Sequence, residues 1–169
     1  MSEAKVTKDL ESKTLTIERE FSAPVAKLWR AYADKESFEK WWGPEGWQTT
    51  TKTFEFKPGG KVHYAMKCVD ENQGEWFGQE TWGLMDITSI EEAKRFEALD
   101  HFSNAEGTVD EKMPTQKFIV EFVDAGDGKS KLVCHSVCET AEQLEELVKM
   151  GMVEGFSSQL NKLEKLLAE

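Results

Sequence analysis

The chain of 169 residues carries 21 Lys and Arg against 32 Asp and Glu, a net charge of −11, with 39% hydrophobic and 31% charged residues. At about 150 residues per domain this corresponds to one domain spanning 1–169, large enough to bury a core without a metal or disulfide staple. The acidic balance argues against a nucleic-acid surface, and no apolar run approaches the roughly 18 residues of a membrane span. The first residues lack a basic-then-apolar secretory pattern, so a cytoplasmic, soluble domain is expected.

Residues 1–12 read as a flexible tail. Thr14 to Phe21 then alternates, with Leu15, Ile17 and Phe21 on one parity, and is a strand. Ser22-Ala23-Pro24 changes the period: a hydroxyl and a first-turn proline start a helix with Val25, Leu28, Trp29 and Tyr32 on one face. Asp34 caps a second short helix carrying Phe38 and Trp41. The turn-rich aromatic segment Trp41 to Trp47 follows, then strands over Thr49 to Phe56 and Lys61 to Lys67, separated by Lys57-Pro58-Gly59-Gly60. Asp70 to Gly74 reads as a turn. Glu75 to Ile90 reads as a strand with an unplaced bulge or break, and Arg95 to Phe102 as the next strand. Lys117 to Val123 and Ser130 to Cys138 flank a hairpin turn at Asp124 to Lys129. Thr140 and Gln143 form a capping box. Leu144, Val148, Met152, Phe156, Leu160, Leu163 and Leu167 then trace one stripe on a helix of about seven turns.

The element order is that of an α+β domain: a curved antiparallel sheet of six to seven strands, two short helices after the first strand, and a long C-terminal helix. Seven strands span roughly 29–34 Å, whereas one helix is about 10 Å across. The sheet must therefore curl around the helix, and the space between them holds either large side chains or a guest. Its inward parity carries Phe54, Phe56, Tyr64, Met66, Phe96, Phe102, Phe118 and Phe122. Gly151 and Gly155, four apart on the helix flank, mark either close backbone approach or a loosened segment.

Cys68, Cys134 and Cys138 are too few and too scattered for a disulfide framework. Cys134 and Cys138 fall about 13 Å apart on one strand face, with His135 on the other. No metal site or cofactor is expected.

Glu18 to Val25 with Leu28-Trp29, Trp41-Trp42-Gly43-Pro44-Glu45-Gly46, Lys57-Pro58-Gly59-Gly60-Lys61, Arg95-Phe96 to Asp100-His101-Phe102-Ser103, and Gly155-Phe156 to Leu163 together resemble one family. It is the family containing the C-terminal domain of the heat-shock protein 90 ATPase activator. The resemblance runs from about residue 14 to 168, although that family's Pro-Pro-Glu-Arg turn stands here as Glu92-Ala93-Lys94-Arg95. It implies the helix-grip fold of the SRPBCC superfamily (START-like and birch-pollen-allergen-like proteins), in which a cavity between sheet and helix commonly takes apolar small molecules.

The ligand-binding candidates are Trp42, Phe54, Phe56, Tyr64, Met66, Trp82, Phe96, Asp100, Phe102, Phe118, Met152, Phe156 and Leu160. Asp100 shares the inward parity with aromatics, where a carboxyl becomes a weaker acid and can serve as acid or base. The alternative is a strand-end Asp bonded to backbone, Arg95 or Arg19. Tyr64 either points its hydroxyl inward or packs with it at the rim. Trp42 and Trp47 either gate the mouth or staple the helix pair to the sheet. His101 should face away from Asp100. Three functions follow: non-catalytic binding of a lipid-like or polyketide-like molecule, a cyclase or dehydratase using Asp100 and Tyr64, or a chaperone-linked interaction protein.

Overall fold

Each element forms where periodicity and turn chemistry coincide, and backbone pairing adds one strand more. The structure, a computed structural model, describes residues 4–169. In chain order the elements are β1 (Lys5–Asp9), β2 (Thr14–Phe21), α1 (Val25–Ala33), α2 (Lys35–Trp41), β3 (Trp47–Phe54) and β4 (Lys61–Cys68). There follow β5 (Glu80–Glu91), β6 (Arg95–Ser103), β7 (Gln116–Gly126), β8 (Lys129–Val137), α3 (Ala141–Lys149) and α4 (Met152–Leu167). The eight strands form one antiparallel sheet in the order β1-β2-β8-β7-β6-β5-β4-β3, with the C-terminal helices on its concave face, a helix-grip architecture.

Three expectations are corrected. Within the expected tail, Lys5–Asp9 pairs along β2 as an edge strand, and residues 1–3 lie outside the described residues. The strand expected from Glu75 starts at Glu80. Ahead of it Glu71–Trp76 forms two short 3-10 turns joined by a kink at Gln73 and Gly74, opened by the Asp70 carboxylate, which accepts from Asn72 N. The unplaced irregularity of β5 is a bulge between Ile87 and Ser89. The long C-terminal helix is two helices: at Gly151, φ +93, the backbone takes the left-handed conformation and the helical path breaks.

The four-residue turn that departs from the family pattern closes the β5–β6 hairpin, with Ala93 at φ 60 and Lys94 N donating to Glu91 O. Asp34 caps α2 through Ser37 N, and Thr140 caps α3 through Gln143 N. Pro24, not Ser22, occupies the cap position of α1, with no side-chain bond.

Arg19, 5% exposed on the inner face of β2, donates to Asn161 Oδ1 at 2.8 Å and pairs with Glu164, fixing α4 across the sheet. Gly155 plays no packing role, because a Cβ there would meet nothing within 4 Å. Gly155→Ala is therefore expected to raise stability by about 0.5–1 kcal/mol, read as a higher urea midpoint. A loss of stability would show that the added methyl is not in open space.

Candidate functional site

The concave face is filled from two sides. Against Phe122 and Phe96 of the sheet, α1 inserts Trp29 (ring centroid 4.9 Å from Phe122) and Tyr32 (5.4 Å from Phe96). From α2, Phe38 lies 6.3 Å from Tyr64 and stacks on Trp42 at 4.9 Å. From the other side, α4 contributes Leu160 and Leu163, both essentially fully buried. A void between these side chains, lined by Tyr32, Trp42, Phe96, Phe118, Cys134 and Phe156 among others, is ≈ 10 Å³. That is about the room for one water.

The single-helix geometry leaves room for a guest, but the aromatics of α1 and α2 occupy that space. Among the described residues this void is too small to be a preformed chamber of ligand size between the sheet and α4.

Within this apolar interior one row of the sheet is polar. Tyr64 on β4 lies flat over Gly83 of β5, where a Cβ would come within 2.3 Å of its Cζ. Its hydroxyl donates to Asp100 Oδ1 of β6 at 3.0 Å. Directly across β6–β7, Asp100 faces Gln116, which is 7% exposed and leaves its Oε1 buried and unpartnered. Burial pushes the Asp100 carboxyl up from 3.8 to about 7, against a smaller downward pull from the Tyr64 hydrogen bond. Burial, then the nearby carboxylate, pushes the Tyr64 hydroxyl well above its ordinary range. A carboxyl that titrates near neutrality beside a hydroxyl donor can hold or pass a proton.

The other expected site residues divide by face. Phe54, Phe56, Met66, Phe102, Phe118, Met152 and Phe156 are half-buried around the core, and Trp42, Phe96 and Leu160 lie within it. Trp82 is on the opposite, convex face. It sits 4.8 Å from the His63 ring and donates to Glu80, so it cannot line the interior. Trp42 is 6% exposed and packed on Phe38, in the stapling position rather than a gating one. Trp47 is half-buried and donates to Gln73 Oε1.

Asp100 bonds neither arginine, since Arg95 pairs with Glu97 and Arg19 with Glu164. His101 does face away, reaching Asp86 and Thr115 on the convex side. His135 likewise bonds Thr16 and Glu121 there, while Cys134 lies inward at 3.9 Å from the Tyr32 hydroxyl, its thiol pushed up to about 12 by burial. Sequence reasoning missed Gly83 and Gln116. For Gly83 the signal was present, because an isolated glycine inside a strand marks a close approach.

A family model described as "Activator of Hsp90 ATPase homolog 1-like protein" matches residues 22–168. Among solved structures the chain is similar to protein Ms6760 from Mycobacterium smegmatis, at 32% identity over 96% of this chain and 95% of that one, TM-score 0.84. It is also similar to a protein from Arthrobacter aurescens, at 29% identity over 97% of this chain and 91% of that one, TM-score 0.87. An AHSA1 protein from Silicibacter pomeroyi, 20% identical over 92% and 97% of the two chains with TM-score 0.69, shares the fold. No curated protein matches the chain.

Proposed function

We propose, from the premise that this chain belongs to the family of activator of Hsp90 ATPase homolog 1-like proteins, that it binds a small, largely apolar molecule between the sheet and α4. The observation that carries this reading is the row Tyr64–Asp100–Gln116. It is a set of convergent polar groups, one of them buried without a partner, beside an aromatic interior. Binding sites for small molecules have this composition, and a buried unpaired polar group in a stable fold calls for an explanation.

Because the void holds about one water, entry requires the interior to open. The break at Gly151 and the half-buried Met152, Val153 and Phe156 beside it supply a place where α3 and α4 can part. Titration of ¹⁵N-labelled protein with naphthalene derivatives tests the reading. Saturable shifts are expected at Trp42, Phe118, Gly151 and Phe156. Unchanged spectra up to about 1 mM ligand, a weak limit of affinity, would remove it.

A second reading, an acid–base enzyme of the cyclase or dehydratase kind, is favoured by the 3.0 Å contact between Tyr64 and Asp100. It requires a bound guest to be converted, so recovery of the guest unchanged by mass spectrometry would retire it. The chaperone association in the family's description has no further support in the geometry, and stimulation of a chaperone ATPase is its test.

A further inference from the structure

Between β4 and β5, Gly74 and Gly78 bracket a turn that holds aromatic rings outward. Both take left-handed φ, 61 and 84, and a Cβ on either would meet nothing within 4 Å. Between them stand Glu75, Trp76 and Phe77, with Trp76 52% and Phe77 50% exposed, and the neighbouring Val69 is 42% exposed. The backbone fixes this exposure. Gly78 N donates to Cys68 O, Cys68 N to Gln79 O and Phe77 N to Gly74 O, so the turn is pinned to the end of β4. The Trp76 ring leans on Trp47, with 6.4 Å between centroids. Val69 and Phe77 line an open groove of ≈ 440 Å³ together with Lys67 and Glu71. Adjacent apolar side chains held in water on a pinned turn mark an interaction surface.

The charge around the rings decides what that surface takes. Residues 67–80 carry Asp70, Glu71, Glu75 and Glu80 against Lys67 alone. None of these carboxylates forms an ion pair among the described residues. A second copy docked through the same face would set like charges against one another, and aromatics that enter lipid surfaces are accompanied by Lys and Arg rather than by carboxylates. We infer that the Val69–Trp76–Phe77 surface docks a polypeptide segment that seats an apolar side chain in the groove beside Phe77 and flanks it with Lys or Arg. The rings supply the anchoring contacts, and their faces join the carboxylates in attracting cations. This surface is separate from the interior, so the binding reading above can fail without it.

The probe is the blocked heptapeptide Lys-Leu-Lys-Phe-Lys-Leu-Lys, titrated into ¹⁵N-labelled protein. Saturable shifts are expected at Val69, the Trp76 indole, Phe77 and Gly78, weakening as NaCl is raised to about 0.5 M. Replacing the peptide's Lys by Glu, or its Leu and Phe by Ser, is expected to weaken binding roughly tenfold or more. Trp76→Ala combined with Phe77→Ala should cost a similar factor. Glu71→Gln combined with Glu75→Gln leaves the rings in place and should weaken binding about threefold and flatten the salt dependence. All four residues are exposed, and an unchanged urea midpoint verifies that each variant is folded. Absence of saturable shifts up to about 1 mM peptide, shifts centred elsewhere, or equal binding by the variant without rings would overturn the inference. So would shifts of the same resonances on concentrating the protein alone or on adding phosphatidylcholine vesicles, which would assign the surface to a second copy or to lipid.

Discussion

At pH 8, Asp100→Asn is expected to be more stable than the parent protein by up to about 4 kcal/mol. The folded carboxyl keeps its proton until about 7, whereas the unfolded chain releases it near 3.8. Between these values the folded state binds more protons than the unfolded one, so stability falls as pH rises through the window. Below it the carboxyl is neutral in both states and contributes nothing; above it the full cost of a buried charge is present. Each tenfold change in acidity is worth about 1.4 kcal/mol, which sets the upper figure, and the partial exposure of Asp100 reduces it.

Asn preserves the acceptor for Tyr64 and removes the charge. Urea unfolding at several pH values should show the advantage of the variant growing from near zero around pH 4 to its maximum at pH 8. A constant difference across that range would mean the carboxyl is not desolvated. A residue that costs stability at neutral pH is best explained by use, since groups kept against the interests of the fold concentrate at functional sites.

Gly83→Ala is expected to act in the opposite direction, destabilising by about 1–3 kcal/mol. The new methyl would occupy the space of the Tyr64 ring, 2.3 Å from Cζ, and neither strand can retreat without breaking the β4–β5 ladder. Tyr64 must then leave its place, and its bond to Asp100 is lost with it. Chemical denaturation measures the loss, and the indictment of Tyr64 is checked in a Tyr64→Ala background. There the same substitution should cost little, because the ring it collides with is gone. Equal costs in the two backgrounds would place the clash elsewhere.

Much of this architecture is legible from residue order. Strands β2 and β4 and the β7–β8 pair declare themselves by alternation, and Asp34 and Thr140 mark helix starts because short polar side chains satisfy free backbone N–H groups. Strand β1 is invisible for a physical reason. Lys5-Val6-Thr7-Lys8-Asp9 is exposed at every position, so it has no buried face to print a pattern and is held by backbone pairing to β2. The break at Gly151 is masked because the apolar stripe resumes in phase at Met152.

The site was half legible. Parity places Tyr64 and Asp100 on the inner face, and their union across β5 follows from the absence of a side chain at Gly83. Trp82 was misplaced because the run from Glu75 conceals where pairing begins, and register decides the face. Whether the interior is hollow depends on how α1 and α2 seat their rings, and side-chain periodicity carries no information about that.

The order of the sheet also governs how the chain comes together. Strands β3 to β7 are sequence neighbours and can pair as they are made. Leu15, Ile17 and Phe21, by contrast, face β8, and the Ala23 carbonyl waits for a Ser130 hydroxyl 107 residues later in the chain. Arg19 waits longer still, 142 residues, for Asn161. Closing such distant contacts carries a large entropic toll and places the last step of assembly among the slow ones. During synthesis the apolar side of the first long strand therefore stays bare until nearly the entire polypeptide has emerged.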